Sequence, residues 1–162
     1  MGFGVLGRNA VGGVPTFKNF NKLVGAGTAI RARDLVARDT DGSISRTITP
    51  GTTLYSGVAI NGGAASTATE HQVTTDPFAL FSAQANASLL LADMGLNANA
   101  VLGSTQTRYS DDQIAASSAA VTATLDFHLI DQLPDVNGTF GTSVKLIVQF
   151  NKPRLAHNVA GV

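Results

Sequence analysis

The sequence predicts a mainly β protein: a small β-barrel, a smaller β-rich subdomain with minor α content, and extended N- and C-terminal arms. Three observations predict it. Long-chain helix formers are scarce, with one Glu (Glu70) and four Lys in 162 residues, so few segments favour a helix. Seventeen Gly, together with abundant Thr and Val, favour short strands joined by turns. The strongest segment, Val144 to Asn151, places Val144, Leu146, Val148 and Phe150 at every second position with Lys145, Gln149 and Asn151 between them, the period of a strand with one buried face. Ile147 is the apolar residue on the otherwise polar face, and it marks a place for a covering loop or a subunit contact.

Residues 1–23 read as an extended Gly-rich arm, Gly2-Phe-Gly-Val-Leu-Gly7 followed by Gly12-Gly-Val-Pro-Thr16, with neither strand nor helix period. Its anchors are Phe3, Phe17 and Phe20, on a neighbouring subunit or back on the domain itself, and Val5 and Leu6 join them as candidate interface residues. Residues 24–86 read as the barrel. Its strands are Thr28–Ala32, Asp34–Arg38, Ser43–Ile48, Leu54–Ile60, His71–Thr75 and Phe78–Gln84. The second and third flank Asp39-Thr-Asp-Gly42, a hairpin turn in which Gly42 supplies the positive φ.

Residues 87–155 read as the subdomain. Ser88 to Gly95 is open between a strand and a helical turn that Gly95 would cap, and Asn97–Leu102 is a short strand. Ser110-Asp-Asp-Gln113 places a hydroxyl at an N-cap and acids in a first turn, which predicts a short helix over Asp111–Ala116. Val121, Ala123, Leu125, Phe127 and Leu129 then alternate, predicting a strand antiparallel to Val144–Asn151. Pro153 ends the last strand. Residues 156–162 form a tail, with Arg154 and Leu155 as candidate contacts beside it.

Several motifs compete with plainer readings. Gly2-Phe-Gly4-Val-Leu-Gly7 spells the dinucleotide fingerprint, but neither the preceding strand nor the following helix is expected there. Asp39-Thr-Asp41 resembles the head of a calcium loop, yet the closing bidentate position is Pro50, so the acids read as turn residues. His71, His128 and His157 share no metal-ligand spacing, and His128 reads as an outward-facing, solvated side chain beside Asp126. No Gly-x-Ser-x-Gly elbow occurs. No catalytic, cofactor-binding or metal-binding residue is therefore assigned.

Charge narrows the partners. Eleven basic and eleven acidic residues cancel, and only 14% of the chain is charged, so there is no basic field for nucleic acid and no polybasic patch for a membrane. A free-standing domain normally carries more surface charge, and the composition favours a chain that packs against protein. Without Cys there is no disulfide or thiol chemistry. No run reaches the ~20 apolar residues of a membrane span, and no signal peptide is expected.

Four segments of the second half, Ala92-Asp-Met-Gly-Leu-Asn97, Tyr109-Ser-Asp-Asp112, Thr124-Leu-Asp-Phe-His-Leu-Ile130 and Ser143-Val-Lys-Leu-Ile-Val-Gln-Phe-Asn151, together resemble the C-terminal part of tailed-phage capsid decoration (cement) proteins. The first half, through Gly27-Thr-Ala-Ile-Arg-Ala-Arg-Asp-Leu-Val36, the Asp-Gly hairpin and Ser56-Gly-Val-Ala-Ile60, is similar to the small β-barrel of such proteins. The resemblance implies a structural protein on the outer surface of an icosahedral capsid. There it would bridge subunits of the major capsid protein, often as a trimer of itself, and it would have no catalytic residues. The Gly-rich start has no counterpart in that pattern. The alternatives are another virion subunit, from the tail or the head-to-tail junction, and a carbohydrate- or host-surface-binding β module. The absence of Trp and the presence of only two Tyr weigh against the last.

Overall fold

A computed structural model describes residues 2–8, 17–21, 29–40, 42–46, 48–64, 70–103, 110–134, 140–141 and 143–151, with backbone only at residues 8, 17–21 and 70. The chain is mainly β, and one sheet curls into a half barrel. The described strands are β1 (Gly4–Arg8), β2 (Phe17–Asn21), β3 (Leu35–Arg38), β4 (Ile44–Ser45), β5 (Tyr55–Ala59), β6 (Glu70–Thr74), β7 (Ala79–Gln84), β8 (Asn97–Ala98), β9 (Ala100–Val101), β10 (Gln113–Ile114), β11 (Phe127–Gln132) and β12 (Lys145–Phe150). They form one five-stranded sheet in the order β1-β7-β12-β11-β8, a second in the order β2-β6-β5-β3-β4, and the small pair β9-β10.

The first sheet is built on alternation. Leu146, Val148 and Phe150 of β12 are buried, while Lys145, Ile147 and Gln149 are half-buried on the other face. β7 matches this register, setting Phe81 opposite Val148 and Ala83 opposite Leu146. On the other side of β12, β11 sets Leu129 opposite Val148 and Phe127 opposite Phe150, with a bulge at Ile130. The buried faces meet Leu35, Ala37, Tyr55 and Val58 of the second sheet in one core. At its centre the Phe127 and Phe150 rings lie 4.9 Å apart, and Tyr55 reaches across from the other sheet to within 5.5 Å of Phe150. A smaller core of Ile30, Val36, Ile44, Ala59 and Val73 covers the far face of the second sheet.

The hairpin at Asp39–Gly42 forms as expected, with Gly42 at φ +83°. The Asp39 carboxylate accepts from the Ser45 hydroxyl at 2.9 Å, so the acid staples the turn. Residues 88–95 resolve to a helical turn at Leu91–Asp93, and Gly95 follows at φ +86°.

Four expectations change. Residues 111–115 form no helix, and a 3-10 turn comes only at Ala116–Ser118: Asp112 is completely buried, its carboxylate accepting from the Leu35 and Gly103 backbone amides, and β10 follows directly. An acid drawn into the interior cannot serve a first helical turn. Residues 121–126 form no strand, and Val121 is 87% exposed. Here the buried Asp126 carboxylate reaches the backbone amides of Gly51 at 2.8 Å and Ala100 at 3.0 Å, which holds the segment in turns until β11 begins. The Gly-rich start is not wholly an arm outside the core, because its first part supplies β1 and the buried Phe3. The expected break between residues 86 and 87 does not divide the core. Within the expected barrel β7 leaves its sequence neighbours and pairs with β1 and β12, because its Ala79-x-Phe81-x-Ala83 face matches theirs.

Candidate protein-binding groove

The first residues of the chain build one wall of a groove. A Cβ on Gly2 would lie 2.2 Å from the Ser110 Cβ, and one on Gly4 would lie 2.6 Å from the Ser82 Oγ. Glycine is needed at position 2, where Ser110 and the Arg33 carbonyl leave no room for a Cβ, whereas at position 4 a turn of the Ser82 hydroxyl would make the space. Between them the Phe3 amide donates to the Arg33 carbonyl at 3.1 Å, and the Phe3 ring stacks on Phe127 with centroids 4.8 Å apart. The Gly-x-Gly that resembles a phosphate loop is thus a close-packing device around an aromatic plug.

β1 then runs antiparallel to β7 as the outermost strand of its sheet among the described residues. A bulge between Val5 and Gly7 turns Leu6 outward, leaving it 46% exposed. Opposite β1 stand residues 32–33 and 59–60, and Ser82 lies at the floor, where its hydroxyl donates to the Gly4 carbonyl at 3.3 Å. The groove encloses about 510 Å³. Ile60, 38% exposed, faces it from the wall opposite Leu6. Arg33 holds that wall in shape with φ at +73°, its amide donating to the Ala59 carbonyl at 2.7 Å.

A buried ionic layer fixes the same wall. The Arg46 guanidinium lies between the Asp34 and Asp112 carboxylates, 3.2 Å from Asp34 and hydrogen-bonded to Asp112. It also donates to the Gly103 carbonyl at 3.2 Å. Burial raises the Asp34 carboxyl from 3.8 to about 6; hydrogen bonds from the Arg31 amide and the Ser110 hydroxyl, with the Arg46 charge, hold it from rising further. Asp34 follows the strained Arg33, and Ser110 meets Gly2, so the layer supports both walls. Near the core centre, burial and then the Asp126 carboxylate push the Tyr55 phenol up, which keeps it protonated.

The chemistry of the groove is that of packing. Its polar side chains are Arg33 and Ser82, with no paired acid and base among the residues that line it. Among the described residues no group of three His, Cys, Asp or Glu converges as a metal site. His128 is half-buried, its ring nitrogen Nδ1 3.0 Å from the Asn97 side-chain oxygen. This replaces the expected solvated position beside Asp126, which is itself buried.

Of the sequence-derived interface residues, the structure brings Phe3, Val5 and Leu6 to the groove. Phe3 is fully buried and stacked on Phe127, so of the two places expected for this anchor, a neighbouring subunit or its own domain, it occupies the second. Val5 packs against the core with part of its surface on the groove, and Leu6 is the exposed member. Ile147 stands beside Ser82 on the face of β12 turned from the core, one strand beyond the groove wall. The side chains of Phe17 and Phe20, and the whole of Arg154 and Leu155, lie outside the described residues. Sequence reasoning missed Arg33, Ile60 and Ser82, and also Asp34, Arg46 and Asp112. A charged residue inside an otherwise apolar, charge-poor strand region, as at Asp34 and Arg46, was the available signal for the ionic layer. No family model, curated protein or solved structure matches the chain.

Proposed function

We propose that the protein is a virion structural protein that decorates and stabilises the outside of an icosahedral phage capsid by bridging major capsid subunits, as a trimer. The sequence resemblance supplies this reading. The observation that best supports it is the groove beside β1, whose Leu6 and Ile60 stand exposed next to the strand that is outermost, among the described residues, in a five-stranded sheet. An exposed sheet edge with an apolar rim suits addition of an extended segment from another protein: main-chain hydrogen bonds give affinity and side-chain pockets give selectivity. In this reading the chain acts by binding alone.

The test is fractionation of assembled particles. The protein is expected to sediment with intact heads at a fixed ratio to their most abundant subunit, and a Leu6→Asp/Ile60→Asp variant that still folds is expected to stay in the supernatant. Recovery with tails or connectors would transfer the assignment to another virion subunit. Absence from all particle fractions would overturn it.

A further inference from the structure

We propose that Asn61 modifies itself: its side chain closes on the Gly62 amide nitrogen, loses ammonia and opens with water to aspartate or isoaspartate, and the fold assists the closure. This goes beyond the proposed function and does not depend on it.

Four observations carry it. Asn61 and Gly62 follow β5 at the surface and both are exposed, so water and hydroxide reach them. The attacking nitrogen belongs to a residue without a Cβ to hinder it, and among the described residues the Gly62 amide donates to no group, so it has no bond to give up. The Asn61 side-chain oxygen Oδ1 accepts from the Gln72 amide at 2.7 Å, and Gln72 is held in place by its carbonyl, which accepts from the Ile60 amide at 2.8 Å. As the nitrogen adds to Cγ, negative charge gathers on Oδ1, where this donor is already aimed. Finally, the fully buried His71 ring hydrogen-bonds the Asn61 main chain in the sense that favours a charged ring, so the ring donates and the Asn61 carbonyl accepts. That carbonyl shares its peptide bond with the Gly62 nitrogen, and electron density drawn toward the oxygen makes the N–H more acidic.

The step balances without an oxidant or a reductant. Hydroxide takes the Gly62 proton, the nitrogen bonds to the Asn61 Cγ, and the Cγ–Nδ2 bond breaks as ammonia leaves with a proton from water, giving a five-membered succinimide. Water then adds to one of its two carbonyls. Addition at Cγ breaks the new bond and leaves aspartate; addition at the main-chain carbonyl carbon breaks the original peptide bond and leaves isoaspartate. In isoaspartate the chain runs through Cβ and Cγ and is one carbon longer between Ile60, on the groove wall, and Gly63. Gly63 is paired with Ile30 through hydrogen bonds of 2.8 and 2.9 Å, and a Cβ on Gly62 would lie 2.9 Å from the Ile30 carbonyl, so this pair has little slack for an added carbon. Both products place a negative charge beside Ile60 in a chain whose formal net charge is zero.

The test follows the full-length protein at neutral pH, read by peptide mapping in the mass spectrometer and by methyl transfer from an isoaspartate-specific methyltransferase. Asn61 is expected to convert to a mixture of aspartate and isoaspartate. Conversion should run on the order of tenfold faster in the folded protein than in the same chain unfolded in guanidinium chloride, the weight of one to two hydrogen bonds on a barrier. No conversion at Asn61, or a folded rate equal to or below the unfolded one, would overturn the inference; this comparison needs no substitution. A folded Asn61→Gln variant, whose longer side chain would have to close a six-membered ring, should remain unconverted at that position over the same period. Conversion there at the wild-type pace would show that the five-membered ring is not the route and would equally overturn it.

Discussion

The two five-stranded sheets solve burial differently. The sheet that contains β12 buries one face, and its strands alternate: three buried and three half-buried residues in β12, with the same pattern in Phe127 to Ile130. The sheet that contains β5 lies between two cores, and all five residues of β5 are buried, as are Leu35, Val36 and Ala37 in succession. The first arrangement needs large residues on one side only. The second needs small residues where both faces are crowded, which accounts for Ser56, Gly57 and Ala59 in one strand. It also encloses polar groups, among them His71, Thr74 and Asp34, that a one-faced sheet would turn to water.

The strongest test of the two-faced sheet is Gly57. A Cβ there would lie 1.8 Å from the Thr74 carbonyl oxygen, and the residue sits at φ +153°. Gly57→Val is expected to cost on the order of 5 kcal/mol, most of the stability of a small domain, and to yield insoluble protein. Gly95→Ala is the matched control. It too has a positive φ, at +86°, but no atom lies near its Cβ position, so thermal unfolding should register a loss of only ~1–2 kcal/mol. Equal losses would show that crowding is not what sets the sheets apart.

The ionic layer comes next. Arg46→Met leaves the Asp34 and Asp112 carboxylates buried without their shared cation. The expected loss is ~3–5 kcal/mol by urea unfolding, and an added Asp112→Asn substitution should restore part of it. A loss below ~1 kcal/mol, the scale of an exposed pair, would mean that this wall is open to water.

Legibility in the sequence follows the same division. β12 was readable to within one residue at each end because one face is wet, and the alternation of Leu146, Val148 and Phe150 is what that geometry imprints. β5 was readable as a strand from its composition, but not its double burial, since Tyr55 to Ala59 carries no period that separates two apolar faces. The segments misread, residues 111–115 and 121–126, each contain an Asp whose carboxylate is buried and serves distant amides: Asp112 serves Leu35, and Asp126 serves Gly51. Local rules place acids at helix starts and strand surfaces, and they hold no information about a partner 75 residues away in the chain. Phe3 shows the same limit, since its socket is assembled from Phe127 and the backbone of Arg33. The groove was legible only as a list of apolar residues, not as a place.

Adjacent residues on β12 sharpen the one-faced side. Leu146→Ala should cost ~2–5 kcal/mol, because it opens a cavity in the shared core. Ile147→Ala, on the half-buried face beside Ser82, should cost ~1 kcal/mol or less. Chemical denaturation of both variants gives the ratio directly. A large cost at Ile147 would indicate a covering layer on that face, making the first sheet resemble the second.

The smallest expected effect is one of pH, and it belongs to the two-faced sheet. In the folded chain Asp34 takes up its proton at about 6 rather than 3.8, because burial disfavours the charge. The folded state therefore binds more protons than the unfolded state between those values, and stability from this group is complete below pH ~3.8 and is lost as the pH rises through about 6. His71 acts in the opposite sense. Burial lowers its pKa below 6.5, so its contribution is present above that value and is lost on acidification. Wild type alone would show a flattened profile in which the two trends oppose each other, and single substitutions separate them. His71→Gln should unmask a stability that falls from pH 5 to pH 7, and Asp34→Asn one that rises over the same interval. If both variants keep the wild-type profile, neither group is held away from water, and the second sheet has at least one face more open than the packing of Ile30, Val36 and Val73 implies.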